Sequence, residues 1–146
     1  MIRIMSKTAY EKMNIKMKER VIFLNTPSKV ISLITFDGID QKETLRGKFD
    51  YIIVCFITET SLNKQFPTLK KHIEANGKLW IAWPKAKKLN THLSIRKVIK
   101  IGYDYGMVES TNLSINSVWT TLKFTWPKAG KKYNNSYGTL PLHSRS

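Results

Sequence analysis

Phe49-Asp-Tyr-Ile-Ile-Val-Cys-Phe-Ile57 decides the fold, because this segment is apolar at every position from residue 51 onward. Arg20-Val-Ile-Phe-Leu-Asn25 and Lys78-Leu-Trp-Ile-Ala-Trp83 have the same character. A short run without polar alternation is typical of a strand that is covered on both faces, as in a parallel sheet. The sequence therefore predicts three adjacent central strands: Val21–Asn25, Tyr51–Ile57 and Leu79–Trp83.

A helix is expected between the second and third of these strands. Its inner face is predicted by four apolar residues separated by four, three and four positions: Leu62, Phe66, Leu69 and Ile73. Pro67 lies inside this pattern, and proline predicts that the helix is broken or restarted there. Asn76-Gly77 predicts the C-terminus of the helix.

The remaining segments predict smaller elements. Ser28 and Ser94 each precede apolar residues at helical spacing, and serine is favoured at the N-cap of a helix. A short strand is expected around residues 41–45. Residues 107–115 and 118–126 are typical of two strands joined by Asn116-Ser117, which is a hairpin connection.

Alternating strands and helices predict an α/β fold with right-handed crossovers onto a mostly parallel sheet. An antiparallel hairpin at the end of such a sheet is the arrangement of class I methyltransferase-like Rossmann domains, a similarity of fold that gives no activity. We expect an N-terminal extension at residues 1–14 and a Rossmann-like domain at 15–126. Residues 127–146 are polar and lack periodicity, which predicts a disordered basic tail.

Trp83-Pro-Lys85 and Val118-Trp-Thr-Thr-Leu-Lys-Phe124 are the most specific of several motifs that include Ile15–Pro27, Phe49-Asp-Tyr51 and Gly106-Met-Val108. In order and spacing these motifs resemble a family of small bacterial proteins of unknown function with a trimmed, methyltransferase-like Rossmann fold. The resemblance covers residues 14–126. It implies this fold and a bacterial source, and it implies no reaction.

The turn after the first strand departs from the pattern of S-adenosylmethionine (SAM) enzymes. Such a turn normally contains glycines that let the backbone approach the ligand. Here it is Leu24-Asn-Thr-Pro-Ser-Lys-Val30, without glycine, and Pro27 lacks a backbone donor. Three acidic residues that follow could contact a ribose: Asp37, Asp40 and Glu43. The sequence therefore favours no cofactor, with SAM as the alternative.

Ligands of open parallel sheets bind outside the carboxyl ends of the strands. The polar and aromatic residues at the three predicted strand ends are candidate ligand-binding residues: Asn25, Thr26, Pro27, Thr58, Glu59, Trp83 and Lys85. Lys85, with Lys87 and Lys88 behind it, predicts a positive rim that suits a phosphate or carboxylate. No catalytic residue can be named from the sequence.

Composition excludes several classes of protein. The chain has 25 Lys and Arg against 10 Asp and Glu in 146 residues, a formal charge of +15. One cysteine, Cys55, excludes an internal disulfide and a Cys-rich zinc site, and the three histidines are scattered, so no metal site is expected. The sequence contains no P-loop, HExxH or GxSxG motif. No apolar run is long enough for a membrane span and no secretory signal is visible, so we expect a soluble cytoplasmic protein.

Three functions remain open. The residues favour a non-catalytic binding module for an anionic small molecule or an acidic partner, with a degenerate cofactor turn. The alternative is a divergent SAM-dependent methyltransferase. A second alternative is weak, non-specific nucleic-acid binding through the basic surface, since the segment from residue 85 to 103 contains six cations and no carboxylate.

Overall fold

The computed structural model describes residues 9–141. Its helices are α1 (Ala9–Met13), α2 (Ser28–Ile34), α3 (Glu59–Lys70) and α4 (Ile95–Asp104). Its strands are β1 (Arg20–Leu24), β2 (Asp40–Lys42), β3 (Phe49–Cys55), β4 (Ile73–Pro84), β5 (Val108–Ser114), β6 (Trp119–Thr125), β7 (Tyr133–Asn135) and β8 (Gly138–Leu140). A turn segment, Lys85–Asn90, connects β4 to α4.

Six strands form one sheet in the order β2-β1-β3-β4-β6-β5. The pairs among β1, β2, β3 and β4 are parallel, whereas β6 is antiparallel to both β4 and β5. The predicted central strands are therefore adjacent, and the α/β fold with a mostly parallel sheet is confirmed. The closing hairpin is also confirmed.

Two cores lie on opposite faces of the sheet. On one face Ile52 and Ile81 pack with Phe66 of α3 and Val98 of α4. On the other face the alternate strand residues pack with residues of α1 and α2, including Met13, Val30 and Ile34. Side chains of a strand alternate between its faces, so a strand inside this sheet must be apolar at every position.

Pro67 does not break α3, contrary to the prediction. The helix continues through it to Lys70. Proline has no N–H for the carbonyl four residues earlier, which here belongs to Asn63. The Tyr105 hydroxyl donates a hydrogen bond of 3.0 Å to this carbonyl oxygen. A residue distant in sequence thus satisfies the acceptor that the proline leaves without its helical partner.

Two predictions at the end of this helix are wrong. Ile73 begins β4 rather than ending the helix face, and Asn76-Gly77 lies within β4. The register shifts there, since Phe49 pairs with Ile73 but Tyr51 pairs with Lys78. A Cβ atom at Gly77 would lie 2.8 Å from the Phe49 carbonyl oxygen, so glycine is required by a close approach of two backbones.

The ends of the described chain are more ordered than predicted. Strands β7 and β8 form a two-stranded sheet within the predicted disordered tail, and Leu140 packs there against Tyr103 and Val108. In the predicted N-terminal extension, Met13 is the last residue of α1 and is buried in the core that α1 and α2 cover. Residues 1–8 and 142–146 lie outside the described residues.

The two predicted serine caps have different outcomes. The Ser94 hydroxyl accepts a hydrogen bond from the Lys97 N–H, which confirms Ser94 as the cap of α4. Ser28 is the first residue of α2, and Pro27 occupies the cap position without a side-chain hydrogen bond. The φ angle of Pro27 is −59°, the value that its ring imposes, and its ψ angle of 145° is outside the helical range, as is usual for a cap residue.

Candidate functional site

The sheet order reverses between β1 and β3, because the chain continues from β1 to β2 on one side and from β3 to β4 on the other. Open α/β sheets bind ligands at such a point, outside the carboxyl ends of the strands. A cavity of about 320 Å³ lies there, which we call the switch-point cavity. Its lining residues are Asn25, Pro27, Cys55, Phe56, Ile57, Thr58, Ser61, Gln65 and Trp119.

Asn25 forms the turn after β1 and has a φ angle of 48°. Glycine and asparagine adopt this left-handed conformation most readily. The Thr26 hydroxyl donates a hydrogen bond of 2.7 Å to the Leu24 carbonyl oxygen, which closes the turn. The chain thus keeps a left-handed residue directly after β1 although the sequence contains no glycine there.

Thr58 shapes the turn after β3 by capping α3. Its hydroxyl accepts a hydrogen bond of 3.1 Å from the Ser61 N–H. Ser61 and Gln65, one helical turn apart, both line the switch-point cavity from α3. The buried Thr91 hydroxyl donates to the Ile57 carbonyl oxygen and accepts a hydrogen bond of 3.1 Å from the Leu93 N–H. These hydrogen bonds hold the segment that precedes α4 against Ile57, at the edge of the cavity.

Cys55 is the one lining residue of this cavity whose pKa is shifted. Burial raises the pKa of its thiol from 9.0 to about 12, and a hydrogen bond with Thr26 opposes this rise only in part. The thiol is therefore protonated at neutral pH, and a protonated thiol is a poor nucleophile. The other polar groups of the cavity are hydroxyls and amides, which can donate and accept hydrogen bonds to a neutral or weakly charged ligand.

The predicted site residues do not form a single rim. Asn25, Pro27 and Thr58 line the switch-point cavity. Trp83 and Lys85 line a second cavity of about 550 Å³, the basic cavity, with Ala86, Lys87, His92, Leu93, Ser94, Ile95, Asn112, Ser114 and Thr120. Glu59 lines a third cavity of about 430 Å³, the interhelix cavity, with Asn63, Arg96, Lys97, Lys100, Ile101 and Asp104.

The strands to which these residues belong separate them along the edge of the sheet. The switch-point cavity lies at the ends of β1 and β3 and is lined from both faces, by Cys55 and Trp119 of the α1 and α2 core and by Ser61 and Gln65 of α3. The basic cavity lies at the end of β4 and is lined by Trp83 of the α3 and α4 core. Glu59 is the first residue of α3, which contacts α4, and it borders the space between these two helices.

Sequence reasoning missed several lining residues. Ser61 and Gln65 have the i and i+4 spacing of one helix face, a signal that was available but weak. Trp119 lines the switch-point cavity from β6, and Asn112, Ser114 and Thr120 line the basic cavity from the closing hairpin. No local pattern reveals these residues, because the antiparallel pairing of β4 with β6 and of β6 with β5 brings them to the end of β4 from about thirty positions away.

Within residues 9–141, no three histidine, cysteine or acidic side chains converge as a metal site would require. In the same part of the chain, no helix has the length and apolar character needed to cross a membrane.

The sequence matches no protein-family profile and no curated protein. The structure, however, is similar to solved methyltransferases. A ribosomal protein methylase from Lactobacillus delbrueckii subsp. bulgaricus aligns with a TM-score of 0.55 and 14% identity, over 82% of this chain and 75% of that one. A TehB-like SAM-dependent methyltransferase from Corynebacterium glutamicum aligns with a TM-score of 0.53 and 9% identity, over 81% and 85%.

Magnesium protoporphyrin IX methyltransferase from Synechocystis, solved with bound SAH, aligns with a TM-score of 0.51 and 11% identity, over 75% of this chain and 74% of that one. At these identities the similarity concerns the fold alone. Together with the strand order and the antiparallel β6, it shows that the chain has the class I methyltransferase-like Rossmann fold.

Proposed function

We propose that this chain binds SAM in the switch-point cavity and is a divergent SAM-dependent methyltransferase. The observation that carries the proposal is the cavity itself, which lies between the carboxyl ends of β1 and β3 beside the left-handed Asn25. Structural neighbours whose names include SAM or SAH support it. This reverses the preference of the sequence, which favoured a module without cofactor because the turn lacks glycine.

The left-handed turn after β1 supports the proposal of an adenosyl ligand. Glycines in such a turn serve mainly to allow left-handed φ angles and close approach. Asn25 supplies the left-handed residue, and its amide adds a donor and an acceptor at the cavity. Pro27 lacks an N–H, so contacts to the ligand on this side would depend on Asn25.

The contact to the ribose would differ from the usual one. An acidic residue after the second strand normally binds the ribose hydroxyls. Glu43 follows β2 here, but it lines a separate cavity with Arg20, Lys42, Thr44 and Arg46. In the switch-point cavity the Ser61 hydroxyl and the amides of Asn25 and Gln65 would bind the ribose instead. When bound, SAM supplies an electrophilic methyl group.

Thermal unfolding with SAM, SAH or adenosine tests the proposal. A ligand at one hundred times its Kd adds about 2.7 kcal/mol to the free energy of unfolding. We expect SAM and SAH to raise the melting temperature of the wild-type protein. Ser61→Phe fills the cavity and should abolish this rise, whereas Thr60→Phe, at an exposed neighbour outside the cavity, should keep it. Melting temperatures that do not respond to millimolar SAM would refute the proposal.

A non-catalytic binding module is the second candidate function. The observation that favours it is the composition of the cavity lining, which among the described residues contains no carboxylate, histidine or lysine that could act as a base. Incubation with methyl-labelled SAM and cellular protein or RNA fractions distinguishes the two. Binding accompanied by label transfer, lost in Ser61→Phe, supports a methyltransferase. Binding without transfer supports the module.

A further inference from the structure

The basic cavity lies at the carboxyl end of β4, beside the closing hairpin, and shares no lining residue with the switch-point cavity. Its floor includes Trp83 and Leu93, which are buried in the core of the α3 and α4 face. Ile95, the first residue of α4, adds an apolar group that is 41% exposed. One wall of the cavity can therefore contact an apolar body, and about 550 Å³ is enough for a small organic ligand.

Another part of the wall of the basic cavity carries uncompensated positive charge. Lys85 and Lys87 line it together with His92, and no aspartate or glutamate from the described residues does so. The interhelix cavity is different, because Glu59 and Asp104 lie among its cations and Lys100 forms an ion pair of 2.8 Å with Asp104. The basic cavity is thus the better site for an anion.

The lysines of this cavity have donors to spare. The Lys85 ammonium donates to the Ser114 hydroxyl, which uses one of its three N–H groups. The Lys87 side chain makes no hydrogen bond or ion pair with any residue from 9 to 141. The Ser94 hydroxyl borders the same space; it accepts a hydrogen bond from the Lys97 N–H and keeps its own proton to donate. The protons of Asn112, Ser114 and Thr120 are already donated within the closing hairpin. Two ammonium groups beside a hydroxyl suit the several oxygens of a phosphate group.

The backbone of this wall is held in an unusual conformation. Ala86, Lys87, Leu89 and Asn90 all have φ angles between 48° and 62°. Non-glycine residues rarely adopt this region, and such clusters of strained residues occur at ligand sites, where the surrounding structure maintains them. The Lys85 N–H donates to the Val118 carbonyl oxygen at 2.7 Å, which anchors the start of the strained segment to the hairpin.

We infer that the basic cavity binds a small phosphate monoester with an apolar or aromatic body. The phosphate contacts Lys85 and Lys87, and the body lies against Trp83, Leu93 and Ile95. This inference does not rest on SAM binding, because the two cavities have no lining residue in common. The similarity to solved methyltransferases does not suggest this second ligand.

NMR titration of the full chain tests the inference with phenyl phosphate, inorganic phosphate and phenol as probes, in the absence of SAM. We expect phenyl phosphate to bind more tightly than either fragment and to shift amide signals of residues around the cavity. Lys87→Ala should weaken phenyl phosphate binding about tenfold or more, because a hydrogen bond to a charged group is lost. Lys88→Ala should change it less than about twofold, since Lys88 is adjacent and exposed but does not line the cavity.

Equal losses in the two variants would overturn the inference, because they would mean binding by general surface charge. Phenyl phosphate that binds no better than inorganic phosphate would overturn it as well, because the apolar wall would then contribute nothing. Ser61→Phe should leave phenyl phosphate binding unchanged. The melting experiment with SAM and the NMR titration with phenyl phosphate can therefore fail independently, and each failure refutes only its own proposal.

Discussion

At the scale of single residues, Tyr105 allows a proline inside α3. Its ring stacks on Phe66 with a centroid distance of 5.3 Å, and its hydroxyl donates to the Asn63 carbonyl oxygen. Tyr105→Phe keeps the ring and removes the donor, so we expect the free energy of unfolding to fall by about 1–2 kcal/mol. Urea unfolding measures this loss. In a Pro67→Ala background, the N–H of residue 67 can donate to the Asn63 carbonyl oxygen in place of the Tyr105 hydroxyl. Tyr105→Phe should then lower the free energy of unfolding by less. Equal losses in the two backgrounds would show that the hydroxyl does not compensate for the proline.

Ala86 tests whether the left-handed segment is strained. Its φ angle of 48° suits glycine better than alanine, so Ala86→Gly should raise the free energy of unfolding by about 1 kcal/mol. Ala75 provides a matched control, because it lies exposed in β4 and has no positive φ angle. Ala75→Gly should be destabilising by about 0.5–1 kcal/mol. Both variants can be compared by thermal unfolding, and the same sign of change at the two positions would exclude strain at Ala86.

At the scale of elements, the β7–β8 hairpin docks through Leu140. This side chain is fully buried and packs against Tyr103 and Val108, and the Asn135 amide donates to the Tyr103 hydroxyl at 2.9 Å. We expect Leu140→Ala to cost about 2 kcal/mol or more, the usual effect of truncating a buried leucine. Leu89→Ala is the control, because Leu89 is 54% exposed. Denaturant unfolding measures both losses. Equal and small losses of free energy in the two variants would mean that the tail does not stabilise the fold.

At the scale of the whole molecule, the charge of +15 predicts binding to nucleic acid. We expect weak binding that is indifferent to sequence and largely lost by about 0.2 M salt. Lys97→Ala/Lys100→Ala and Lys87→Ala/Lys88→Ala should then weaken it similarly, because each removes two cations. Fluorescence anisotropy with labelled DNA and RNA at two salt concentrations measures this. Tight binding that resists salt and depends on one pair alone would contradict a general electrostatic field.

The whole fold should also lose stability in alkali. Burial raises the pKa values of Cys55 and Tyr51, so the folded state holds protons that the unfolded chain releases. The free energy of unfolding should therefore fall as the pH rises from about 9 toward 12. Cys55→Ala should reduce this slope and leave the part that is due to Tyr51. Urea unfolding between pH 8 and 11 measures the slope of the free energy of unfolding against pH. The same slope in Cys55→Ala and in the wild-type protein would show that the thiol has the same pKa in the folded and unfolded states.

Much of the fold follows from patterns that are local in sequence. The continuous apolar runs of β1, β3 and β4 determine a sheet covered on both faces, because no other environment buries every side chain of a strand. The Ser94 cap and the closing hairpin also depend on neighbouring residues. For the site, the strand ends alone indicate Asn25, Pro27 and Thr58, since ligands of parallel sheets bind at those ends.

Tertiary contacts decided the rest. Pro67 stays helical because Tyr105, far along the chain, satisfies Asn63. Gly77 lies in a strand because the Phe49 backbone approaches it closely. Asn25 and Lys85 line separate cavities because β3 lies between β1 and β4 in the sheet. Each of these outcomes depends on the partner across a contact, and a partner that is distant in sequence leaves no periodic signal near the residue it controls.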